Sequence, residues 1–206
     1  MVEKLLSLNP QEQIIVLDNE STYPPLLDWY QKIQDQIEIR FLKNEGHLAL
    51  WTTGLDKELG DFFVYTDSDI VLPNKFPQNW KEVLLEKLSN YPEFRKIGPG
   101  LKIEDLPDHY VYKKDVIHHE TRWWLRPLEQ DLFRAQIDTT FSLMKNFGTN
   151  CYPAIRICSE DMLTQHHPWY LDLSNLDEEE QYYLDHLGEC VTTRYSKKHK
   201  NPEIEY

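Results

Sequence analysis

The pattern that most constrains the fold is a strand–helix–strand succession in the first 42 residues. Residues 13–17 (QIIVL) form a short apolar run rich in β-branched side chains, which predicts a buried parallel strand. Pro24 and Pro25 suit the first turn of a helix, and residues 37–42 (IEIRFL) predict a second strand. Because a helix that joins two strands of one sheet makes a right-handed parallel crossover, this opening predicts an α/β fold with a mainly parallel central sheet.

The rest of the chain continues this alternation. Further strands are predicted over residues 61–66, 94–97, 133–137, 139–145 and 154–158, and further helices over residues 79–90, 115–126 and the stretch beginning at Asn175. With 206 residues and no internal repeat, the chain fits one α/β domain. We therefore expect a single three-layer domain over residues 1–194, with helices on both faces of the sheet, and a charged tail over residues 195–206.

The charge balance restricts the class of partner. The formal net charge is −13, which opposes binding to nucleic acid and to anionic membranes. A ligand that carries phosphate groups would still bind if a metal ion supplied positive charge locally. We therefore expect no nucleic-acid partner, and we expect any phosphate ligand to need a cation.

The cysteines and the hydropathy pattern bear on the compartment. Cys151, Cys158 and Cys190 are an odd number without metal-ligand spacing, which predicts reduced thiols. Apolar runs stay well below membrane-span length, and the N-terminal MVEKLLSLNPQEQ is too short and too polar for a signal peptide. We expect a cytoplasmic protein without a transmembrane segment.

Two aspartates, Asp67 and Asp69, follow directly on the strand predicted over residues 61–66. Ligands of open α/β sheets lie at the carboxyl ends of strands, and two carboxylates placed there repel each other unless a cation lies between them. Mg²⁺ and Mn²⁺ bind carboxylate oxygens together with phosphate oxygens. The alternative is an ordinary turn, because Asp and Ser favour turns and a D-x-D triplet is common by chance.

Three further positions are weaker candidates. Asp18 lies at the end of the first predicted strand, directly after Leu17, where its carboxylate would accept from a nucleobase N–H or a ribose hydroxyl, or would cap the following helix. Gly98 and Gly100 lie where the backbone must bend or approach a ligand closely, and the alternative is a plain turn between elements.

An ordered series of segments carries a family resemblance. The segments are VLDNESTYPPLLDWY, KNEGHLALW, YTDSDIVLP, KIGPGLKIEDLPDHY, AQIDTTFSLMK and QHHPWY. Over residues 12–183 the chain resembles a bacterial and viral set of family-two-like glycosyltransferases with the GT-A fold. The resemblance implies a hexosyltransferase that moves a sugar from a nucleoside diphosphate sugar, which we expect to be UDP-linked, to a hydroxyl of a glycan or other acceptor.

The resemblance also assigns roles to residues. Asp18 would recognise uracil, and Asn44 would contact the nucleoside from its loop. Asp67 and Asp69 would bind Mn²⁺ or Mg²⁺ and the ribose or phosphate.

His166 would be the third metal ligand on the same motif match. Neutral imidazole binds Mn²⁺ and Zn²⁺ well, and His166 lies in an aromatic-rich loop. The alternative is that the histidine caps a strand or packs under Trp169.

Inverting transfer needs a base that takes the proton from the acceptor hydroxyl. Asp138 in QIDTTF suits that role, although it would equally hold a sugar hydroxyl or cap the next element. Glu120 is the rival base, with His118 and His119 beside it. Trp123 and Trp124 would form an acceptor platform or pack in the core.

One departure from the family pattern keeps other functions open. Such enzymes usually begin with a strand ending in a nucleoside-binding loop, and the chain shows no counterpart before residue 13, so we expect a differently completed pocket or a shortened protein. One alternative is a non-catalytic carbohydrate-binding or interaction module, favoured by this difference and by six Trp and twelve Tyr. Another is a nucleotidyltransferase or phosphohydrolase, which would want extra carboxylates for a second metal.

Overall fold

A computed structural model describes residues 1–149 and 153–187, and the chain divides into two compact units. The first unit contains Met1–Glu12 and Leu55–Asp172, and the second contains Gln13–Gly54 together with the residues from Leu173 onward. Cys151, Cys190 and the tail predicted over 195–206 lie outside the described residues. The single catalytic domain over residues 1–194 stays a prediction, because two packing units can serve one function.

Short helices and short strands make up the regular structure of the described residues. The helices are α1 (Val2–Leu8), α2 (Pro24–Ile33), α3 (Ala49–Thr52), α4 (Trp80–Ser89), α5 (Lys113–Thr121) and α6 (Glu178–Asp185). The strands are β1 (Ile15–Asn19), β2 (Glu38–Leu42), β3 (Phe62–Tyr65), β4 (Ile70–Val71), β5 (Lys96–Pro99), β6 (Pro127–Glu129), β7 (Leu132–Arg134), β8 (Ser142–Lys145), β9 (Ala154–Ile157) and β10 (Gln165–His166). In the described part of the chain, no helix has the length and apolar character needed to cross a membrane.

The second unit confirms the predicted opening. β1 and β2 pair in parallel, from Ile15 opposite Glu38 to Asn19 opposite Leu42, and α2 forms the crossover between them. α2 begins at Pro24 and buries Tyr30 and Ile33. The first strand ends two residues later than predicted, so Asp18 lies within β1 instead of after it.

The first unit holds a six-stranded mixed sheet in the order β3-β8-β5-β9-β7-β6. Among the described strands of this sheet only β5 and β9 pair in parallel, and the other pairings are antiparallel. The α/β class is confirmed, and the prediction of a mainly parallel central sheet is wrong. β6 and β7 are joined by a connection too short for a crossover, so they pair as an antiparallel hairpin.

Two predicted strands are shorter in the structure than in the sequence pattern. β7 ends at Arg134 and β8 begins at Ser142, so residues 135–141 run between them outside any strand. The chain bends at the end of this connection, where the side chain of Phe141 is fully buried and packs against Trp80 of α4, with ring centroids 5.2 Å apart. This irregular connection, residues 135–141, carries the candidate base Asp138.

The connection 135–141 packs closely against Gly98 of β5. A Cβ at Gly98 would lie 2.2 Å from the carbonyl oxygen of Phe141 and 3.0 Å from Cα of Ser142. We expect Gly98→Ala to destabilise the protein by about 1–3 kcal/mol, because backbone atoms cannot yield as a flexible side chain can. Thermal unfolding would show this as a melting temperature lower by roughly 2–4 °C per kcal/mol.

Gly60→Ala is the matched control, because a Cβ at Gly60 meets nothing within 4 Å. We expect that variant to change stability by less than about 0.5 kcal/mol. Equal melting temperatures for the two variants would contradict the close packing at Gly98.

Candidate functional site

Asp67 is hydrogen-bonded to the connection that precedes β8. Its backbone N–H donates to the carbonyl of Thr139 over 3.0 Å, and the Thr139 hydroxyl donates to Asp67 Oδ2 over 2.7 Å. These contacts follow from the antiparallel pairing of β3 and β8, in which Tyr65 lies opposite Ser142. The two segments therefore stay together beyond the end of the ladder, and the Asp67 carboxylate has a defined position.

Asp69 lies beside His166 because two short strands pair there. β4 and β10 form an antiparallel ladder with Ile70 opposite His166, and the N–H of His167 donates to the carbonyl of Asp69 over 2.8 Å. In this arrangement His166 Nε2 lies 3.3 Å from Asp69 Oδ2. The structure thus brings together two predicted metal ligands that are far apart in the sequence.

Negative charge accumulates around Asp67. Burial raises the pKa of the Asp67 carboxyl, the hydroxyl of Thr139 opposes this, and the charges of Asp69 and Asp138 raise the pKa further against the lowering effect of His166. Burial and the charge of Asp67 together raise the pKa of Tyr65 to about 12. A bound cation would remove the repulsion among these three carboxylates.

The chemistry of the site fits a divalent cation, although the ligand set is incomplete. Within the described ranges, the buried atoms Asp69 Oδ1 and His166 Nδ1 lack a hydrogen-bond partner. Residues 1–149 and 153–187 contain no three His, Cys, Asp or Glu side chains already gathered into a metal site. Since Mg²⁺ usually binds one or two carboxylates and completes its shell with water and substrate phosphates, a partial protein ligand set is what such an ion needs.

The loop that carries His166 is held by aromatic packing. The rings of His166 and Trp169 meet edge to face, with centroids 4.9 Å apart. Trp169 and Tyr170 pack against an apolar cluster, and the Tyr170 hydroxyl donates to Asp105 Oδ1 over 2.7 Å. The cluster consists of Ile103, Leu106, Tyr110 and Val116. His166 therefore contacts both Trp169 and Asp69, so the two interpretations of this histidine are compatible.

The two candidate bases have different surroundings. The Asp138 side chain is exposed and directly precedes Thr139, whereas Glu120 is 3 % exposed and forms an ion pair with Arg156. A carboxylate committed to a buried guanidinium is poorly placed to take a proton from an acceptor. The geometry therefore favours Asp138 as the base and a structural role for Glu120.

Trp123 and Trp124, which follow α5, pack against cationic and aromatic side chains. The Trp123 ring lies 4.6 Å from the Arg122 guanidinium and 5.7 Å from that of Arg156. Trp124 packs against Phe133, with centroids 5.8 Å apart. These contacts favour the packing interpretation of both tryptophans over an acceptor platform.

The glycines predicted to bind the cofactor have a packing explanation. Gly98 lies against the backbone of Phe141, and a Cβ at Gly100 would come within 2.6 Å of Cys158 Sγ. Both positions thus need glycine because another part of the chain approaches them. Their contact with a cofactor stays a prediction.

The nucleoside candidates belong to the second unit. Asp18 is 3 % exposed, and its carboxylate accepts from the N–H of Ser21 over 3.0 Å and from the hydroxyl of Tyr30 over 2.8 Å. Asn44 is exposed, and its side-chain oxygen accepts from the N–H of Gly46 over 3.2 Å. These contacts show turn-stabilising roles, and nucleoside recognition by Asp18 and Asn44 stays a prediction.

Three residues that organise the site are absent from the sequence-based predictions: Thr139, Lys96 and Arg156. The signal for the latter two was a cation inside an apolar strand, in FRKIG and AIRIC, where a charged side chain must find a buried partner. Thr139 gave no comparable signal, because a threonine in a loop is ordinary until its partner is known.

Asp67→Asn should stabilise the protein in the absence of divalent cations. The pKa of the Asp67 carboxyl is raised above its ordinary 3.8, so the folded state binds the carboxyl proton more tightly than the unfolded state does. The stability of the protein therefore falls as the pH rises from 3.8 through the pKa of the folded state. Asparagine still accepts from Thr139 and carries no charge. We expect about 1 kcal/mol of added stability at pH 7.5, or roughly 2–4 °C in melting temperature, and little difference below pH 3.8.

Asp61→Asn is the control for this measurement, since Asp61 is an exposed carboxylate just ahead of β3. We expect its melting temperature to match the wild type at both pH values. A lower melting temperature for Asp67→Asn than for the wild type at pH 7.5 would show that the buried charge does not cost stability.

No curated protein matches the chain. The family model described as glycosyl transferase family 2 matches residues 1–157, more than half of the chain and a range that includes Asp67, Asp69 and Asp138. Together with the α/β fold this match confirms the predicted enzyme class, and the chain belongs to glycosyl transferase family 2.

Proposed function

We propose that this glycosyltransferase uses Mg²⁺ or Mn²⁺ to accept a nucleoside diphosphate sugar, which we expect to be UDP-linked. The observation that carries the proposal is the Asp69–His166 pair next to Asp67, with buried polar atoms that lack partners within the described residues. A diphosphate would be repelled by this group of carboxylates in a chain of net charge −13 unless a cation lay between them. Family membership supports sugar transfer, and the local charge supports the metal.

Four residues of the first unit would form the donor side of the site. Asp67, Asp69 and His166 would hold the ion, with Thr139 orienting the Asp67 carboxylate. A bound divalent ion stabilises the negative charge that develops on the departing diphosphate.

Asp138 acts on the acceptor side. Its exposed carboxylate takes the proton of the acceptor hydroxyl while that oxygen bonds to the anomeric carbon. The bond from the anomeric carbon to the diphosphate oxygen breaks with its electron pair on the diphosphate. Attack opposite to the leaving group inverts the configuration, so we expect an inverting enzyme.

Three further predictions belong to the proposal, and no contact among the described residues supports them. Asp18 would accept from the base or ribose, and Asn44 would contact the nucleoside. The cytoplasmic location rests on the cysteine pattern.

A non-catalytic carbohydrate-binding member of the family is the second candidate. The observation that favours it is the aromatic content, six Trp and twelve Tyr, because these side chains combine a large apolar face with a polar group. Oligosaccharide binding without any response to nucleotide sugars would favour the second candidate.

Ligand-induced stabilisation tests the proposal. UDP-, GDP- and TDP-sugars are screened by thermal unfolding with and without Mn²⁺. We expect one sugar nucleotide at 100 times its Kd to raise the melting temperature by roughly 5–10 °C with Mn²⁺, because binding then adds about 2.7 kcal/mol of stability. In the variants Asp69→Asn and His166→Gln, the same metal-dependent rise in melting temperature should need at least ~10 times more sugar nucleotide.

Asp61→Asn again serves as the control. Its melting temperature should rise with sugar nucleotide and Mn²⁺ as much as that of the wild type. Replacing both Asp67 and Asp69 by Ala should abolish metal-dependent transfer and donor hydrolysis. Full activity in that double variant, or an equal shift without Mn²⁺, would refute the metal-dependent mechanism.

A further inference from the structure

Two cationic side chains are buried beneath the irregular connection 135–141. Lys96 of β5 is 0 % exposed and Arg156 of β9 is 5 % exposed, although Lys and Arg are rarely buried completely. β5 and β9 are parallel, with Gly98 opposite Arg156. Residues two apart on a strand share a face, so Lys96 and Arg156 lie on the same face of the sheet.

Both cations donate to consecutive backbone carbonyls of this connection. Arg156 Nε donates to the carbonyl of Gln136 over 2.7 Å. Lys96 Nζ donates to the carbonyls of Ile137 over 2.8 Å and of Asp138 over 2.6 Å. The connection lies outside any strand, so charge-assisted side-chain bonds position its backbone where ladder bonds would do so in a sheet.

The neighbouring residues are consistent with this arrangement. Glu120 forms the ion pair that compensates the charge of Arg156. Gly98 lies on the same face as Lys96 and lets the carbonyl of Phe141 come close to β5. A buried cation, a counter-ion and a glycine thus all serve to hold one loop.

The loop so held carries two groups of the proposed site. Asp138 is the proposed base, and Thr139 donates to Asp67. The ladder of β4 and β10, which carries His166 beside Asp69, is a separate structural element. Loss of the Lys96 bonds would therefore disturb the acceptor side more than the donor side.

We infer that Lys96, assisted by Arg156, is a positioning residue that fixes Asp138 for proton transfer from the acceptor hydroxyl. This inference rests on the proposed function. A displacement of about 1 Å at a reacting group lowers a rate on the order of 100-fold. Lys96 acts through the backbone of Asp138, so its loss should affect the chemical step more than donor binding. Donor binding depends on this loop only through the bonds of Thr139 to Asp67, whereas Asp69 and His166 are held by the ladder of β4 and β10.

The test compares Lys96→Met with Lys75→Met, since methionine removes the ammonium group and keeps most of the side-chain length. Lys75 is 81 % exposed and lies 3.9 Å from Glu160, so its replacement should leave kcat unchanged. For Lys96→Met we expect kcat to fall ~10- to 100-fold per folded molecule, with the donor Kd unchanged within ~3-fold. Hydrogen exchange should accelerate at the amides of residues 136–140 and stay unchanged in β4 and β10.

Unchanged kcat in Lys96→Met would overturn the inference, even if the variant lost thermal stability. Should that variant not fold, Arg156→Lys retains a charge for Glu120 while losing the Nε donor to Gln136, and the same separation of kcat from donor Kd is expected. If wild-type protein transfers no sugar, the proposed function fails. The catalytic part of the inference then fails with it, and hydrogen exchange decides only whether Lys96 holds the connection: unchanged exchange at residues 136–140 would show that it does not.

Discussion

The two hydrogen bonds between Asp67 and Thr139 are the contact on which the candidate site depends. They join the end of β3 to the connection ahead of β8, and so place a buried carboxylate beside Asp69 and Asp138. Three acidic groups in one region are unfavourable in an acidic chain, and the fold retains them because packing and hydrogen bonds determine the backbone there. Such a local conflict between stability and charge is typical of functional sites.

The acidic and the basic side chains near this site differ in how deeply they are buried. Asp67 and Asp69 are partly exposed and Asp138 is exposed, whereas Lys96 and Arg156 are buried and donate to backbone carbonyls. The cations therefore act on loop geometry, and in the proposed mechanism a divalent ion would neutralise the diphosphate. This division explains how one small sheet can carry an acidic site on a connection that contains no regular structure.

The helices and strands of this fold are more predictable from the sequence than the pairing of the strands. The apolar runs at β1, β2, β3 and β9 identify strands because burial leaves a local pattern. Strand direction in the six-stranded sheet depends on which strands become neighbours, and β8 inserts between β3 and β5 from far along the chain. No local pattern encodes that insertion, so the parallel opening did not predict the mixed sheet.

By itself the sequence determined the α/β class, the acidic pair after β3 and the family resemblance, because each is a property of local residue order. Only the tertiary structure decided that His166 lies 3.3 Å from Asp69, that Glu120 is committed to Arg156, and that Lys96 supports Asp138. These are contacts between residues distant in the chain. They form when backbone pairing brings whole strands together, and the residue types at each end do not identify the partner.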